Sequence, residues 1–378
     1  MRASAVNIVS FRYQNNQVVD RCRPTGSNPP VNTDDIAAAR AALSAWGHES
    51  ARLAPLGQGL INLTLRVTPA RGPEFVLQRV NPVFPAAVNR DVDVVTRRLE
   101  EAGVGTARLV PTRSGALWVE YAAGVWRLQT WLPGLSREAL AEPPQAEAAG
   151  RLLGRFHTAL DGLAHAFANP RLGVHDTARH LQRLRDALEM HRSHRRYAQV
   201  APLAAEILEL AAALPALPPT ADRIVHGDPK INNMLFDARS GEALCMVDLD
   251  TVGRMPLPLE LGDAFRSWCN PAGENQRSGV FSAALFDAGL RGYAATAGAW
   301  ITPAEQAAIA PATLTIIVEL AARFCADALN ENYFGWDAQR FASRSEHNQV
   351  RAAGQMSLAR SCRSVYAQLQ ASVERAFA

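Results

Sequence analysis

One octapeptide and the hairpin behind it constrain this chain more than any other feature. The octapeptide is His226-Gly-Asp-Pro-Lys-Ile-Asn-Asn233, and it runs into Phe236-Asp-Ala-Arg-Ser-Gly241 and the apolar stretch Ala243-Leu-Cys-Met-Val-Asp-Leu-Asp250. Two short apolar runs around a Gly-containing turn read as paired strands. Asp228, Asn233 and Asp248 therefore stand in fixed order on a loop and a hairpin. Each piece alone is weak, since an Asp before a turn is often only an Asx cap. The ordered set at this spacing is specific. The octapeptide also holds the only lysine: of 39 basic residues, 38 are arginine and the exception is Lys230. An ammonium is a compact point charge on a flexible stem, whereas a guanidinium is a wide planar fork. A chain that uses arginine everywhere else has kept its one lysine where a point charge is needed.

His-x-Asp-x-x-x-x-Asn resembles the catalytic loop of the protein-kinase-like fold. The resemblance implies that Asp228 accepts the proton of a substrate hydroxyl, and that Asn233 and Asp248 are oxygen ligands for Mg²⁺. Lys230 would neutralise charge on the transferring phosphate. Gly227, where protein kinases carry Arg, points to the small-molecule branch, and the chain resembles the aminoglycoside phosphotransferase and choline kinase superfamily. Further segments narrow the likeness. Gly57-Gln-Gly-Leu-Ile-Asn-Leu-Thr64, Phe75-Val-Leu-Gln-Arg-Val-Asn81, Trp126-Arg-Leu-Gln-Thr-Trp131, Val174-His-Asp-Thr177, Asp248-Leu-Asp-Thr251 and Leu261-Gly-Asp-Ala-Phe-Arg266 occur in order. Together they are similar to the N-acetylhexosamine kinase group, which phosphorylates the anomeric hydroxyl of GlcNAc or GalNAc. The likeness implies an α+β, two-lobed kinase-like fold, with a small antiparallel sheet lobe and a larger, mainly helical lobe. It implies ATP and Mg²⁺ as cofactors and a small hydroxyl compound, an amino sugar, as acceptor.

Bulk properties agree. A formal charge of +3 gives no argument for nucleic acid. The densest basic stretch, His191 to Tyr197, follows an amphipathic pattern and reads as a solvated helix end. Five cysteines at 22, 245, 269, 325 and 362 form no CxxC pair, and Cys245 and Cys325 lie in apolar runs. No unbroken apolar run of bilayer length is visible and the N-terminus lacks the core of a secretory signal, so a cytoplasmic, membrane-free protein is expected.

The pattern along the chain predicts a flexible extension over 1–30 and a capped helix over 32–47. Strands are predicted near 51–55, 63–68, 75–80, 118–121 and 125–131, with a helix over 89–102 between the third and fourth. Residues 31–132 would form the nucleotide-binding lobe, with Leu132-Pro-Gly134 as hinge. Residues 133–378 would form the catalytic and acceptor lobe, with helices near 146–160, 178–190, 201–214, 278–297, 303–329 and 346–376.

Gly57 and Gly59 would let backbone amides approach a phosphate, with Asn62 and Thr64 adding polar contacts. The small-lobe lysine of kinases has no counterpart; Gln78 and Arg79 are the neighbours at that place. Strand alternation sends them to opposite faces, and Arg79 is preferred on charge, with Asp91 as its helix partner. Trp131 is placed by order near the adenine, as core or as wall. His157 is read as a core histidine bonding the catalytic-loop backbone, His226 as orienting that loop, and Asp263 as bonding its amides. An aromatic face and planar donors suit a sugar: Arg323, Tyr333 and His175 are the acceptor candidates, Arg323 having Glu319 and Asp327 one turn either side. Two other functions compete. An amino-alcohol or aminoglycoside kinase would want an acidic large lobe, which residues 255 onward do not offer. A nucleotide-binding pseudokinase scaffold would explain the missing lysine but not Asp228, Asn233 and Asp248 together.

Overall fold

The structure, a computed structural model, describes residues 32–56 and 62–378. The N-terminal extension over 1–30 and the turn glycines Gly57 and Gly59 lie outside the described residues. The chain folds into the expected α+β arrangement of a small antiparallel sheet and a larger helical part.

Helix α1 (Thr33–Leu43) opens on a reciprocal cap between Asn32 and Asp35. Then come β1 (Arg52–Pro55), β2 (Leu63–Thr68), β3 (Phe75–Val80), α2 (Val88–Glu101), β4 (Val119–Tyr121) and β5 (Gly124–Thr130). The five strands form one antiparallel sheet in the order β1-β2-β3-β5-β4. Alternation gives this sheet two faces. Leu65, Val67, Phe75, Leu77, Trp126 and Leu128 point to α1 and join Ala39, Ala42 and Leu43 in a small core. Thr64, Gln78 and Arg127 take the other face; Gln78 is in register with both Thr64 and Arg127. Helix α2 turns Val92, Val95 and Leu99 into the large core of the helical part.

That part begins with β6 (Leu135–Ser136), α3 (Pro143–Leu160), α4 (Thr177–Met190), α5 (Tyr197–Ala212) and β7 (Asp222–Val225). Strands β8 (Met234–Phe236) and β9 (Ala243–Met246) form the expected hairpin, and β6 pairs onto β8. Strand β10 (Gly253–Pro256) pairs with β7. The helices α6 (Leu257–Trp268), α7 (Ala283–Ala297), α8 (Pro303–Ala307), α9 (Ile309–Asn330), α10 (Arg344–Ser364) and α11 (Tyr366–Phe377) complete it.

Three differences from the sequence reading have plain causes. Helix α6 is not among the helices the sequence pattern predicts; Pro258 lies in its first turn, where no intrahelical donor is lost. The single helices expected over 303–329 and 346–376 are each broken in two, at Ala308 and Val365. Helix α9 is long and apolar enough to cross a bilayer, with a mean hydropathy of 1.6 over its best window, yet 94% of that window is buried inside the fold. It is the central helix of the large part. Helices α3 and α7 approach closely through glycines: a Cβ on Gly150 would meet Gly289 O at 2.0 Å. Cys245, Cys269, Cys325 and Cys362 are free and buried.

Candidate active site

The loop between β7 and β8 carries Asp228, and its backbone is held from below by α6. Both oxygens of Glu260 accept loop amides, His226 N at 2.9 Å and Gly227 N at 3.0 Å. Trp268 Nε1 donates to Pro229 O at 3.0 Å, and Ile231 N donates to Ser267 Oγ at 3.1 Å. His226 Nε2 donates to Val247 O at 2.9 Å, which ties the loop to the end of β9. Burial keeps this imidazole below its ordinary pKa, against the charge of Glu260. Gly227 has φ +82°, and a Cβ there would stand 2.2 Å from Thr251 O. A side chain cannot occupy this place, which accounts for Gly between His226 and Asp228.

On this frame the loop presents a compact set of charges. Lys230 Nζ lies 2.6 Å from Asp228 Oδ2, and the two side chains are 30% and 23% exposed, so the pair reaches solvent. Asn233 Nδ2 donates to Asp228 O at 2.9 Å and to Asp228 Oδ2 at 3.1 Å. These bonds leave Asn233 Oδ1 as a free acceptor. Burial would raise the Asp228 carboxyl, but the Lys230 charge and hydrogen bond hold it below its ordinary pKa. Burial likewise opposes the Lys230 charge, and Asp228 and then Asp248 outweigh it, so the ammonium is held above its usual range.

Asp248 follows β9 in the left-handed region at φ +64°, unusual for a non-glycine residue. No described residue donates a hydrogen bond to its carboxylate. Burial, then the like charges of Asp250 and Asp228, push it up to about 6, against Lys230 and Arg127. A carboxylate raised by burial and then by neighbouring negative charge, one residue beyond the backbone bond from Val247 N to Asn233 O, fits a divalent cation, which would favour the ionised form. Among the described residues no group of three His, Cys, Asp or Glu could hold a metal by itself. Mg²⁺ would not need such a group: it is usually bound via one or two carboxylates together with substrate phosphates and water. Asp250 differs from Asp248. It is fully buried, and its oxygens accept from Arg127 and from Asn62 Nδ2 at 2.8 Å.

The other residues singled out by sequence divide into three groups. Asn62 and Thr64 lie on the cleft face, Asn62 bound to Asp250 and Thr64 accepting from Gln78 Nε2 at 3.2 Å. Trp131 continues that face past β5, with the Arg66 guanidinium 4.5 Å above its ring. Arg79 is the correction: it lies on the α1 face, where it pairs with Asp35 at 2.8 Å and covers Trp126. Charge was the wrong guide, since alternation gave the cleft to Gln78. Asp91 also leaves Arg79; it accepts from the Ala168 amide and lies 2.8 Å from His165 Nε2.

The third group is brought together by α9. His175 Nδ1 lies 2.9 Å from Glu319 Oε1, Thr177 Oγ1 donates to Glu319 Oε2 at 2.7 Å, and Arg323 Nη1 is 3.8 Å from Glu319. Arg323 stands 5.8 Å from the Tyr333 ring, and Tyr333 is 49% exposed. Asp327 does not extend the ladder to Arg323. Its oxygens accept the amides of Asn332, Tyr333 and Phe334, which fixes the turn that displays Tyr333.

Several residues were missed or misplaced. Glu260, not Asp263, bonds the loop amides: it sits one turn nearer the start of α6, and Asp263 pairs with Arg266 at 2.8 Å. His157 bonds Tyr293 Oη at 3.0 Å and stands 3.6 Å behind Glu260, instead of touching the loop backbone. Arg171 donates to Gly227 O at 3.0 Å and adds positive charge beside Asp228. Arg127, buried between the two parts, was available as the charged residue of its strand, but no sequence signal gave its partner.

Residues 52–298, more than half of the chain, match the model of the phosphotransferase enzyme family. Solved structures share the fold. A microcompartment-associated aminopropanol kinase superposes with a TM-score of 0.60 at 16% identity, over 88% of this chain and 98% of its own. An aminoglycoside phosphotransferase from Alicyclobacillus acidocaldarius gives 0.58 at 18% identity, over 89% and 96%. An amicoumacin kinase solved with AMP-PNP and Ca²⁺ gives 0.52 at 14% identity, over 85% and 88%. The chain belongs to the phosphotransferase enzyme family.

Proposed function

We propose that this phosphotransferase moves the γ-phosphate of ATP, with Mg²⁺, to the hydroxyl of a small molecule, and that the acceptor is the anomeric hydroxyl of an N-acetylhexosamine. The convergence of Asp228, Lys230, Asn233 and Asp248 at one end of the β8–β9 hairpin carries the reading. Asp228 aligns the acceptor hydroxyl and takes its proton; a carboxylate held ionised is ready for that work. Lys230 leaves its contact with Asp228 far enough to meet the transferring group, a movement its flexible stem permits. Asp248 and Asn233 Oδ1 would hold Mg²⁺, which when bound neutralises phosphate charge. Such transfer is mostly positioning and electrostatics. Residues 31–132 would seat the nucleotide, with the glycine turn over the phosphates and Trp131 near the adenine, and 133–378 would hold catalysis and acceptor.

The acceptor assignment is supported by Tyr333 as an exposed aromatic face, with Arg323 and His175 beside it. An amino alcohol or aminoglycoside is the second reading, favoured by the likeness to an aminoglycoside phosphotransferase and an aminopropanol kinase. Glu319 counts against it: both its oxygens are taken by His175 and Thr177, so it offers no free charge to a polycation. Incubation with Mg·ATP and GlcNAc or GalNAc should give a 1-phosphate, whose phosphorus couples to the anomeric proton in NMR. Phosphate on another ring carbon, or turnover of amino alcohols alone, would overturn the sugar reading. Absence of any ATP turnover across both panels would favour a scaffold.

A further inference from the structure

The chain has no lysine in its small sheet, and Arg79 faces away from the cleft. One guanidinium does occupy the space between the two parts. Arg127 of β5 is 1% exposed, and a guanidinium has five N–H donors. Nε donates to Gln78 Oε1 at 2.9 Å. Nη2 donates to Gln78 Oε1 at 2.7 Å and to Asp250 Oδ2 at 2.9 Å. Nη1 donates to Asn89 Oδ1 at 3.3 Å and to Asp250 Oδ1. All five donors are used, so none is left for a nucleotide phosphate.

Asp250 is the other half of the arrangement. Arg127 and Asn62 together take both of its oxygens, and Asn62 Oδ1 in turn accepts Asn81 N at 2.8 Å. Its own carbonyl accepts from Asn169 Nδ2 at 3.4 Å. Asn62, just before β2, and Arg127 of β5 therefore bond one carboxylate, two residues beyond Asp248, while Gln78 of β3 and Asn89 of α2 are tied to it through Arg127. Asp248 holds its left-handed backbone at φ +64° without glycine, which persists only where the surroundings over-determine it. The short turn Leu249–Thr251 that follows it is the segment Asp250 pins.

We propose that Arg127 is a positioning residue that acts through Asp250: it fixes the turn carrying Asp248 and makes the cation site depend on a docked small sheet, without touching the nucleotide. This rests on the reading of Asp248 as a metal ligand. It places in one arginine–aspartate pair across the cleft the coupling that a lysine contacting the phosphates would otherwise give.

The test reads metal binding rather than turnover. Removing one partner of a buried ion pair strands the other charge, whereas replacing both with apolar residues is often tolerated. The informative protein is therefore the double variant Arg127→Met/Asp250→Leu, with Asn62→Ala as a milder second variant. Mn²⁺ affinity is measured by electron paramagnetic resonance with AMP-PNP present, and AMP-PNP affinity is measured by calorimetry in EDTA. Losing an outer partner of a metal ligand typically costs 10- to 100-fold in metal affinity. The double variant should lose Mn²⁺ affinity by at least about tenfold, and Asn62→Ala by less. Metal-free AMP-PNP affinity should stay within about threefold of wild type, because Arg127 has no donor to offer. A double variant that fails to fold leaves Asn62→Ala to decide: a loss of Mn²⁺ affinity supports the proposal, and none overturns it. Unchanged Mn²⁺ affinity overturns it, as does a parallel fall in metal-free nucleotide affinity, which would make Arg127 a phosphate ligand. Wild-type protein that binds no Mn²⁺ with AMP-PNP would instead sink the reading of Asp248.

Discussion

The loop around Asp228 and the cluster around Glu319 are built on opposite plans. The loop is held mostly by its own chain neighbourhood: Glu260, Ser267 and Trp268 lie within 40 residues and bond its backbone. The Glu319 cluster is held by side chains that come from far apart, His175 and Thr177 being 144 and 142 residues away. Backbone anchoring leaves the side chains of Asp228, Lys230 and Asn233 to bond one another rather than the frame. Side-chain anchoring makes the acceptor candidates part of the frame that holds them. A site of the first kind suits a step shared by every acceptor, and one of the second kind can be retuned by exchanging side chains.

The largest effect expected from this contrast is at Asp228. Asp228→Asn keeps the hydrogen bonds of the loop backbone and removes the carboxylate proposed to accept the proton. Turnover should fall by about 10²–10⁴, the usual worth of general base catalysis, while Mg·ATP still raises the melting temperature. A near wild-type rate would break the comparison at its root, since the loop would then be a frame like the other cluster.

How much of this was legible depends on the same contrast. Asp228, Lys230, Asn233 and Asp248 are close in sequence, so spacing alone brought them to one hairpin end. The strands at 63–68 and 75–80 were legible to the residue because alternation is local. Arg79 against Gln78 was not, because alternation says that neighbours oppose each other but not which face meets α1. The partner of Arg127 was hidden for a related reason: 123 residues separate it from Asp250, and only the folded cleft supplies the pairing. Glu260 was not legible because the helix that carries it, α6, is not among those the sequence pattern predicts.

A middle-sized effect is expected at the lone lysine. If Lys230 merely decorated a turn, Lys230→Arg would be silent in a chain with arginine at its other 38 basic positions. If its ammonium meets the transferring phosphate, a bulkier fork keeps the charge but misplaces it, and a misplacement near 1 Å can cost on the order of 10² in rate. Single-turnover kcat should drop by about tenfold or more, with the acceptor KM little changed. Full activity would assign Lys230 to the structural support of Asp228 alone.

The smallest effect sharpens the other half of the comparison. Burial works to raise the Glu319 carboxyl, but the hydrogen bond and charge of His175, then Arg323 and His180, hold it below the ordinary glutamate value of 4.5. A carboxyl lower in the folded than in the unfolded chain contributes stability that is present above the unfolded value and is lost as pH falls through the folded one. His180 is also held down, by burial first and then by Arg323, while Glu319 pulls it up. Its contribution is lost as pH falls below the unfolded value of 6.5, because the unfolded chain takes up the proton first. Glu319→Gln should therefore change the two windows in opposite directions. Below 4.5 the fall in melting temperature should flatten, because the titrating carboxyl is gone. Between 6.5 and 4.5 it should steepen, because His180 loses the one charge that favoured its protonation in the fold. Melting curves from about pH 3 to pH 8 on both proteins read this directly. Parallel curves would mean that Glu319 is not the charged centre of its cluster, and that His175 and Arg323 are placed by something else.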